Sequence, residues 1–562
     1  MSNIYNKLRE ERMHLLEQDL VPEWMSTAGY QLFKEKYLYQ ADNPREQYER
    51  IAATLSAHTE DPNMWRDKFF HLLWKGWLSP STPVLANTGT TRGLPVSCAG
   101  TYISDNLDSI YNSKHEVAML TKAGFGTASY LGDLRGRGDS ISVGGKSSGL
   151  LPIIEGFQKD MEYVSQGTAR RGSWAGYVRI DHKDFDEVCD YLFAHPDGNN
   201  IGWVVGDDFI DDLRQGDEEA IRRYGKAMKT KMVTGKGYFF FDDKANNKRP
   251  QWYKDQNLDI KSSQLCSEIM LHSSEEYTYT CVLSSMNLSK WDEWRETDAV
   301  FQATVFLDAV VQEFIERAKN MAGLEKAVAF TKNSRALGLG VCGFHSYLQQ
   351  NLIPFESFEA HQWNTNVFVH LDTESRRASE YLARTWGEPK WMKGYGMANT
   401  HRLAVAPTKS TALIMGGISE GINPDTAMVY TQRTPAGEVD RINPALLRLM
   451  KEKGVYNQKN IEEVRDAHGS VQHVDWLDDD EKLAFRTAFE IDQDAVIRLA
   501  SNRGRWIDQW QSLNLFFAAG EDEGYVNSIH KKAFLDPNIL ALYYVYSKAG
   551  VITNKDECLA CQ

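Results

Sequence analysis

The sequence has no apolar run approaching the ~18 residues of a membrane span. It opens on a charged, helix-like stretch, MSNIYNKLREERMHLLEQDL, where a secreted chain would carry an apolar core and a small-residue cleavage site. Neither a membrane anchor nor export is expected, and the cytoplasm is the expected compartment. Positive charge is also in deficit: 63 Lys and Arg against 77 Asp and Glu give a net charge of −14. That balance works against a broad nucleic-acid-binding face but leaves room for a local basic pocket for a nucleotide. DNA is not an expected partner. Cysteine is scarce, with seven in all: Cys98, Cys189, Cys266, Cys281, Cys342, Cys558 and Cys561. They are too few and too scattered for a disulfide scaffold in a reducing compartment, so each needs its own explanation. Glycine is almost missing from the first 75 residues, where YNKLREERMHLLEQDL and REQYERIAATLSAH carry helical periodicity.

What is present is length and alternation. A chain of 562 residues exceeds one ordinary core, so one large barrel-like domain with satellites, or several domains, is expected. From LSPSTPVLANTGTTRGLPVSCAG onward, short strand-like runs (GYVRI, IGWVV, GYFFF, LAVAP) alternate with glycine-rich turns and long helical patterns such as DAVFQATVFLDAVVQEFIERAKNMAG. That alternation predicts an α/β fold, and the length a barrel. The predicted division is a helical region over 1–75, a barrel over 76–530, and a C-terminal segment over 531–562 that loses periodicity after Tyr546.

The chemistry concentrates in SSQLCSEIMLHSSEEYTYTCVLSSMNL, Ser262 to Leu288. Gln264, Cys266 and Glu268 alternate, so an extended backbone would put an amide, a thiol and a carboxylate on one face. A buried carboxylate beside a thiol is costly unless it is used. Cys98 in VSCAG and Cys281 in YTCVLSS sit among small residues that read as strand ends; each could be a buried small hydrophobe or half of an inner dithiol. The terminal Cys558-Leu-Ala-Cys561 lacks the further ligands a zinc site needs, and a redox dithiol is the better reading. APTKST, with Pro407, Thr408, Lys409, Ser410 and Thr411, offers a turn, hydroxyls and a cation before an apolar run; it fits a phosphate-binding helix start or a simple capped helix. GLGVCG, Gly338 to Gly343, matches a dinucleotide fingerprint but lacks the preceding buried strand, so close backbone packing is expected there. Cys189 and Cys342 read as core residues.

Nine stretches in order, LSPSTPVLANTGTTRGLPVSCAG, DNLDSI, AGFGTASYLGDLRGRG, SQGTARRG, SQLCSEI, TCVLSSMNL, APTKST, LYY and CLAC, resemble the large catalytic subunit of ribonucleotide reductase, class I in particular, over nearly the whole chain. The resemblance implies a ten-stranded α/β barrel with a cysteine-bearing finger loop at its centre. It implies that Cys266 becomes a thiyl radical that takes the 3′ hydrogen of a ribonucleoside diphosphate, and that Glu268 is the general base. Cys98 and Cys281 would supply two electrons and close to a disulfide, which Cys558 and Cys561 would reopen. The family usually has Asn where this chain has Gln264, so the amide here is one methylene longer. Tyr543 and Tyr544 match the tyrosines that relay an oxidising equivalent from a separate, metal-containing small subunit.

Further matches are implied at the substrate, for Thr82, Ser97, Gly124 and the APTKST residues. Asp105, Arg135 and the loop of Ser165, Gln166, Gly167, Arg170 and Arg171 resemble a specificity site for ATP or a deoxynucleoside triphosphate near a homodimer interface. No cofactor or metal is expected on this chain itself, and a thioredoxin- or glutaredoxin-type protein is the implied reductant. Barrel motifs begin near residue 78, so no N-terminal ATP-cone is expected. A cobalamin-dependent reductase of the same family, a catalytically silent nucleotide-binding paralogue and a stand-alone thiol–disulfide oxidoreductase remain as alternatives.

Overall fold

The computed structural model describes residues 3–166, 170–434 and 437–547. Its N-terminal part is helical for local reasons. Asn43 and Asp61 each precede a proline and accept a hydrogen bond from the backbone N–H three residues on, that of Glu46 at 3.0 Å and of Met64 at 3.1 Å. A side-chain cap followed by proline is a strong helix start, and helices Pro44–Ser56 and Pro62–Trp74 begin there. Tyr48, Ile51, Ala52 and Leu55 form the buried stripe of the first, and Trp65, Phe69, Leu72 and Leu73 that of the second; the two helices pack together. Among the described residues no helix is long and apolar enough to cross a membrane.

The strands are, in chain order, β1 (Leu78–Pro80), β2 (Cys98–Tyr102), β3 (Gly126–Tyr130), β4 (Ser165–Gln166), β5 (Arg170–Arg171), β6 (Trp174–Arg179), β7 (Asn200–Val204) and β8 (Tyr238–Phe240). They continue with β9 (Tyr279–Asn287), β10 (Leu337–Cys342), β11 (Val429–Thr434), β12 (Gly437–Ile442), β13 (Leu515–Phe517), β14 (Ala541–Leu542) and β15 (Val545–Ser547). β2, β3, β6, β7 and β8 pair parallel, in that order. β9 and β10 pair parallel as the start of a second half.

The second half continues through segments too irregular to count as full strands. Leu339 bridges Leu403, and Val405 bridges Gln511, both parallel. Leu339 N donates to Arg402 O and Val405 N to Trp510 O, each at 2.9 Å. Tyr543 N donates to Leu513 O at 2.9 Å, and β13 pairs parallel with β15. The staves of this half are therefore β9, β10, 401–405, 509–517 and 541–547, five to match the five of the first half.

The halves join antiparallel on both sides, β2 against β9 and β8 against β14. Going round, five staves separate one join from the other, and the sheet closes into a ten-stave barrel among the described residues. The α/β barrel expectation is met. One boundary differs: the tenth stave, 541–547, lies beyond residue 530. ALYYVYS is too short to show strand periodicity, and its place is fixed by pairing with β8 and β13.

Most of the apolar core surrounds this barrel. A smaller cluster, including Met428, Leu446, Val464 and Phe485, forms the core of a satellite beside it. Gly338 to Cys342 of GLGVCG lie in β10, and packing requires glycine at 338 and 340. A Cβ on Gly340 would stand 2.5 Å from Ala404 O, and one on Gly338 would stand 2.3 Å from Leu283 Cδ2. Cys189 and Cys342 are buried, as expected of core residues.

Candidate active site

Between helix Gln251–Asp255 and β9 the chain runs without regular structure, and this stretch carries Cys266. Its tip is a tight turn: Ser267 N donates to Gln264 O at 3.1 Å, and Ser267 has φ of +64°. The extended backbone envisaged for 264–268 is absent. The turn brings the three side chains together instead, and Gln264 Nε2 donates to Glu268 Oε2 at 2.7 Å. The longer amide thus reaches the carboxylate. Gln264, Cys266 and Glu268 are all at most 2 % exposed.

Staves from both halves hold this finger loop by its backbone. From the first half, Tyr177 on β6 donates its hydroxyl to Gln264 O at 2.6 Å. From the second, Tyr279 on β9 donates to Ser263 O at 2.7 Å, and Ser512 to Cys266 O at 2.5 Å. Trp510 N donates to Glu268 O at 3.0 Å, and Met270 N to Gln509 Oε1 at 3.1 Å. Tyr279 reaches the loop because its ring lies across Gly100 of β2, where a Cβ would stand 2.0 Å from Tyr279 Cζ. Burial raises the pKa of both Tyr177 and Tyr279 above the usual phenol range, so both stay neutral donors. Ser512 Oγ also lies 3.3 Å from Glu268 Oε2.

Tyr543 follows directly on β14, at the join with β8, and its hydroxyl lies 3.7 Å from Cys266 Sγ. The Tyr543 and Tyr544 ring centroids are 4.2 Å apart. Tyr238 on β8 flanks both, at 4.9 and 5.4 Å, and its hydroxyl is 3.2 Å from that of Tyr544. Beneath them the fully buried Lys231 donates to Gly237 O at 3.1 Å and to Tyr543 O. Burial lowers the pKa of this ammonium to about 7.

At the other join, Cys98 of β2 stands directly opposite Cys281 of β9. Directly opposed residues in an antiparallel pair have Cα atoms about 4.5–5.5 Å apart, within the range a disulfide bridges. Both thiols are buried. Burial pushes the Cys281 thiol above its ordinary range, against the lowering effect of Gln509 Nε2, which donates to its sulfur at 3.5 Å. Cys98 opens β2, at the strand end expected of it, whereas Cys281 lies inside β9 rather than at its end.

APTKST ends in a helix, Lys409–Ile414, of only six residues. It packs on β1 and on helix Thr27–Leu32. The Thr408 hydroxyl accepts from Gly421 N at 2.9 Å, and Thr411 donates to Thr408 O at 3.3 Å. The Thr82 hydroxyl meets Tyr37 OH at 3.0 Å, and the Ser97 hydroxyl meets that of Ser81 at 2.9 Å. Gly124 ends helix Leu107–Ala123 with φ of +108°, which alone accounts for a glycine there.

Asp105 and Arg135 follow β2 and β3 and meet: Arg135 Nε donates to Asp105 Oδ2 at 2.7 Å, and Arg135 N to Asp105 Oδ1 at 3.2 Å. Ser165 and Gln166 pair with Arg171 and Arg170 as a two-stranded ribbon, and β4 packs on helix Leu107–Ala123. Gly167, Cys558 and Cys561 lie outside the described residues.

The sequence does not single out the residues that hold the loop, Tyr177, Tyr279, Gln509 and Ser512, or those that pack on and bond to the tyrosine pair, Tyr238 and Lys231. Their signal was thin, because a strand tyrosine or a lone serine has no spacing that distinguishes it from packing.

Residues 24–93 match the family profile described as ribonucleotide reductase, all-alpha domain. Residues 96–218, 211–394 and 389–544 match the one described as ribonucleotide reductase, barrel domain. A putative ribonucleoside-diphosphate reductase large subunit of Frog virus 3 is 33% identical over 521 residues, covering 87% of this chain and 91% of that one. The ribonucleoside-diphosphate reductase large subunit of Danio rerio is 26% identical over 606 residues, 93% of this chain and 75% of its own. Among solved structures, the class Id ribonucleotide reductase alpha subunit of Actinobacillus ureae superposes with a TM-score of 0.87 at 37% identity, covering 96% of this chain and 99% of its own. A barrel match from residue 96 to residue 544, with relatives aligned over most of their length, leaves one conclusion: the chain belongs to the ribonucleotide reductase family, among its large subunits.

Proposed function

We propose that the chain reduces ribonucleoside diphosphates to 2′-deoxyribonucleoside diphosphates, with Cys266 as the residue that carries the radical. The observation behind the assignment is the contact of the Tyr543 hydroxyl with Cys266 Sγ, 3.7 Å, at a buried loop tip. Tyr543, once oxidised, takes the hydrogen of the Cys266 S–H bond and leaves a thiyl. The thiyl takes the 3′ hydrogen of the ribose, Glu268 accepts the 3′ hydroxyl proton, and the 2′ hydroxyl departs as water. Cys98 and Cys281 give up two electrons and two protons, one proton completing the departing water and the other reaching C2′, and form one S–S bond, while Glu268 returns its proton to the 3′ oxygen. The 3′ hydrogen then returns from Cys266, which restores the thiyl. Gln264 keeps the Glu268 carboxylate oriented toward the ribose.

The oxidising equivalent comes from a small subunit that carries the metal, through Tyr544 and Tyr543. Cys558 and Cys561 reopen the internal disulfide and are themselves reduced by a thioredoxin- or glutaredoxin-type protein. Thr82, Ser97, Gly124 and the Pro407–Thr411 turn hold the substrate. Asp105, Arg135 and the Ser165–Arg171 loop bind ATP or a deoxynucleoside triphosphate. Leu107 and Tyr111, one turn apart, are 72% and 66% exposed just after Asp105; exposed apolar side chains of this kind support a second copy of the chain as the partner on that face.

The test is turnover of a ribonucleoside diphosphate with the small subunit and reductant supplied. Cys266→Ser is expected to form no product while binding nucleotide normally, since an O–H bond is too strong to be broken at this step. Product from a clean preparation of that variant refutes the assignment.

A further inference from the structure

Tyr544 is 8% exposed and Tyr543 1% exposed, so neither ring offers an open face to an oxidant held on another protein. We propose that Tyr546 is a third member of the relay, the ring that receives the oxidising equivalent at the surface and passes it to Tyr544. This inference rests on the reading of Tyr543 and Tyr544 as a relay.

Three features carry it. Tyr546 is two residues beyond Tyr544, so the pleat turns both side chains to the same side, and their ring centroids are 5.8 Å apart. Tyr546 is only half-buried, and exposure therefore rises in order along Tyr543, Tyr544 and Tyr546. Its ring is also held in place: β15 pairs with β13 so that Phe516 stands opposite Tyr546, and the two rings stack at 5.2 Å and 12°. Phe516 has no phenolic O–H to give up, so it orients Tyr546 without competing for the radical. Tyr238 also touches the pair, but it is fully buried and no nearer to solvent.

The steps balance as hydrogen-atom equivalents. A one-electron oxidant of the phenoxyl or high-valent-metal class on the small subunit removes an electron from Tyr546, whose O–H bond breaks and whose proton passes to water or a base at the interface. The Tyr546 phenoxyl then regains an electron and a proton as Tyr544 loses both. Tyr544 and Tyr543 exchange in the same way, and Tyr543 finally takes the hydrogen from Cys266.

Tyr546→Phe keeps the stack on Phe516 and removes only the O–H. With the small subunit at saturating concentration, turnover is expected to fall at least tenfold, with unchanged KM for the nucleotide and unchanged affinity for the small subunit. 3-Aminotyrosine at position 546, which is easier to oxidise, is expected to trap an aminotyrosyl radical, seen by electron paramagnetic resonance on mixing with the small subunit, substrate and effector. Turnover of Tyr546→Phe within twofold of the unaltered chain at saturating small subunit overturns the inference. So does the absence of a radical signal at 546. Tyr544→Phe is assayed alongside: if it is active as well, the relay reading itself fails, whereas an inactive Tyr544→Phe beside an active Tyr546→Phe removes only the third member.

Discussion

Shortening one side chain tests whether the finger loop is fitted to glutamine. Gln264 Nε2 donates to Glu268 Oε2 at 2.7 Å, and the turn that sets the spacing is closed by Ser267 N on Gln264 O. Gln264→Asn withdraws the amide by about 1.5 Å, the length of one C–C bond. With the turn intact the separation becomes roughly 4.2 Å, beyond hydrogen-bond range. Both residues are 1% exposed, so solvent does not readily replace the lost donor. A hydrogen bond to a charged group contributes about 1.5–3 kcal/mol, equivalent to about 10- to 150-fold in rate if the contact is needed at the transition state. The assay is steady-state reduction of a ribonucleoside diphosphate with small subunit and reductant in excess. The expected result is kcat reduced by that factor, with KM nearly unchanged. A kcat within about threefold of the unaltered chain refutes the idea that the amide orients Glu268, and a raised KM at unchanged kcat assigns the amide to substrate binding instead.

Three other outcomes are expected. Cys558→Ser with Cys561→Ser leaves one round of reduction and stops multiple turnover with a protein reductant; mass spectrometry after that round should find one new disulfide, Cys98 to Cys281, and continued turnover contradicts the shuttle. Lys231 has its pKa lowered to about 7 from an ordinary value of 10.5, so between those pH values the unfolded chain binds a proton that the folded chain does not, and stability rises with pH there. In urea denaturation, Lys231→Met should lose up to about 1.4 kcal/mol per pH unit of that rise; identical pH dependence in both proteins refutes the assignment. Gly100→Ala puts a Cβ 2.0 Å from Tyr279 Cζ and should destabilise the fold by at least about 1–3 kcal/mol, with loss of activity as Tyr279 leaves Ser263; wild-type melting and turnover would show that the ring is not held there.

The legible part of this protein was the part whose chemistry depends on residue type and order. Cys266 with its neighbours at 264 and 268, the thiols at 98 and 281, and the double tyrosine stand out by residue type and order, and the structure brings each set together. The strand runs GYVRI, IGWVV and GYFFF were legible through β-branched and aromatic side chains, and they became β6, β7 and β8. The conformation of the loop tip was not legible. Alternation at 264, 266 and 268 suits an extended chain, and a turn with one left-handed residue brings the same side chains together by another route. The clamps were hidden for a different reason. Tyr279 reaches Ser263 only because register places it over Gly100, and Ser512 reaches Cys266 only because 509–517 lies beside 401–405. Both depend on which staves become neighbours, which a single sequence does not state. The last stave escaped notice because two residues of β14 and three of β15 make too short a pattern to read.

The two antiparallel joins of the barrel have a consequence for how the reaction is wired. Cys98 and Cys281 occupy one join and Tyr543 adjoins the other, with five staves between them and the finger loop in the middle. A phenoxyl takes a hydrogen atom from any thiol it meets, so chemical preference does not single out one cysteine. On the proposed reading, address does: current of one electron at a time arrives from one pole of the barrel, current of two electrons from the other, and Cys266 sits between the two supplies. A duplication or permutation that moved the tyrosines to the cysteine join would keep every reactive group and short-circuit the enzyme.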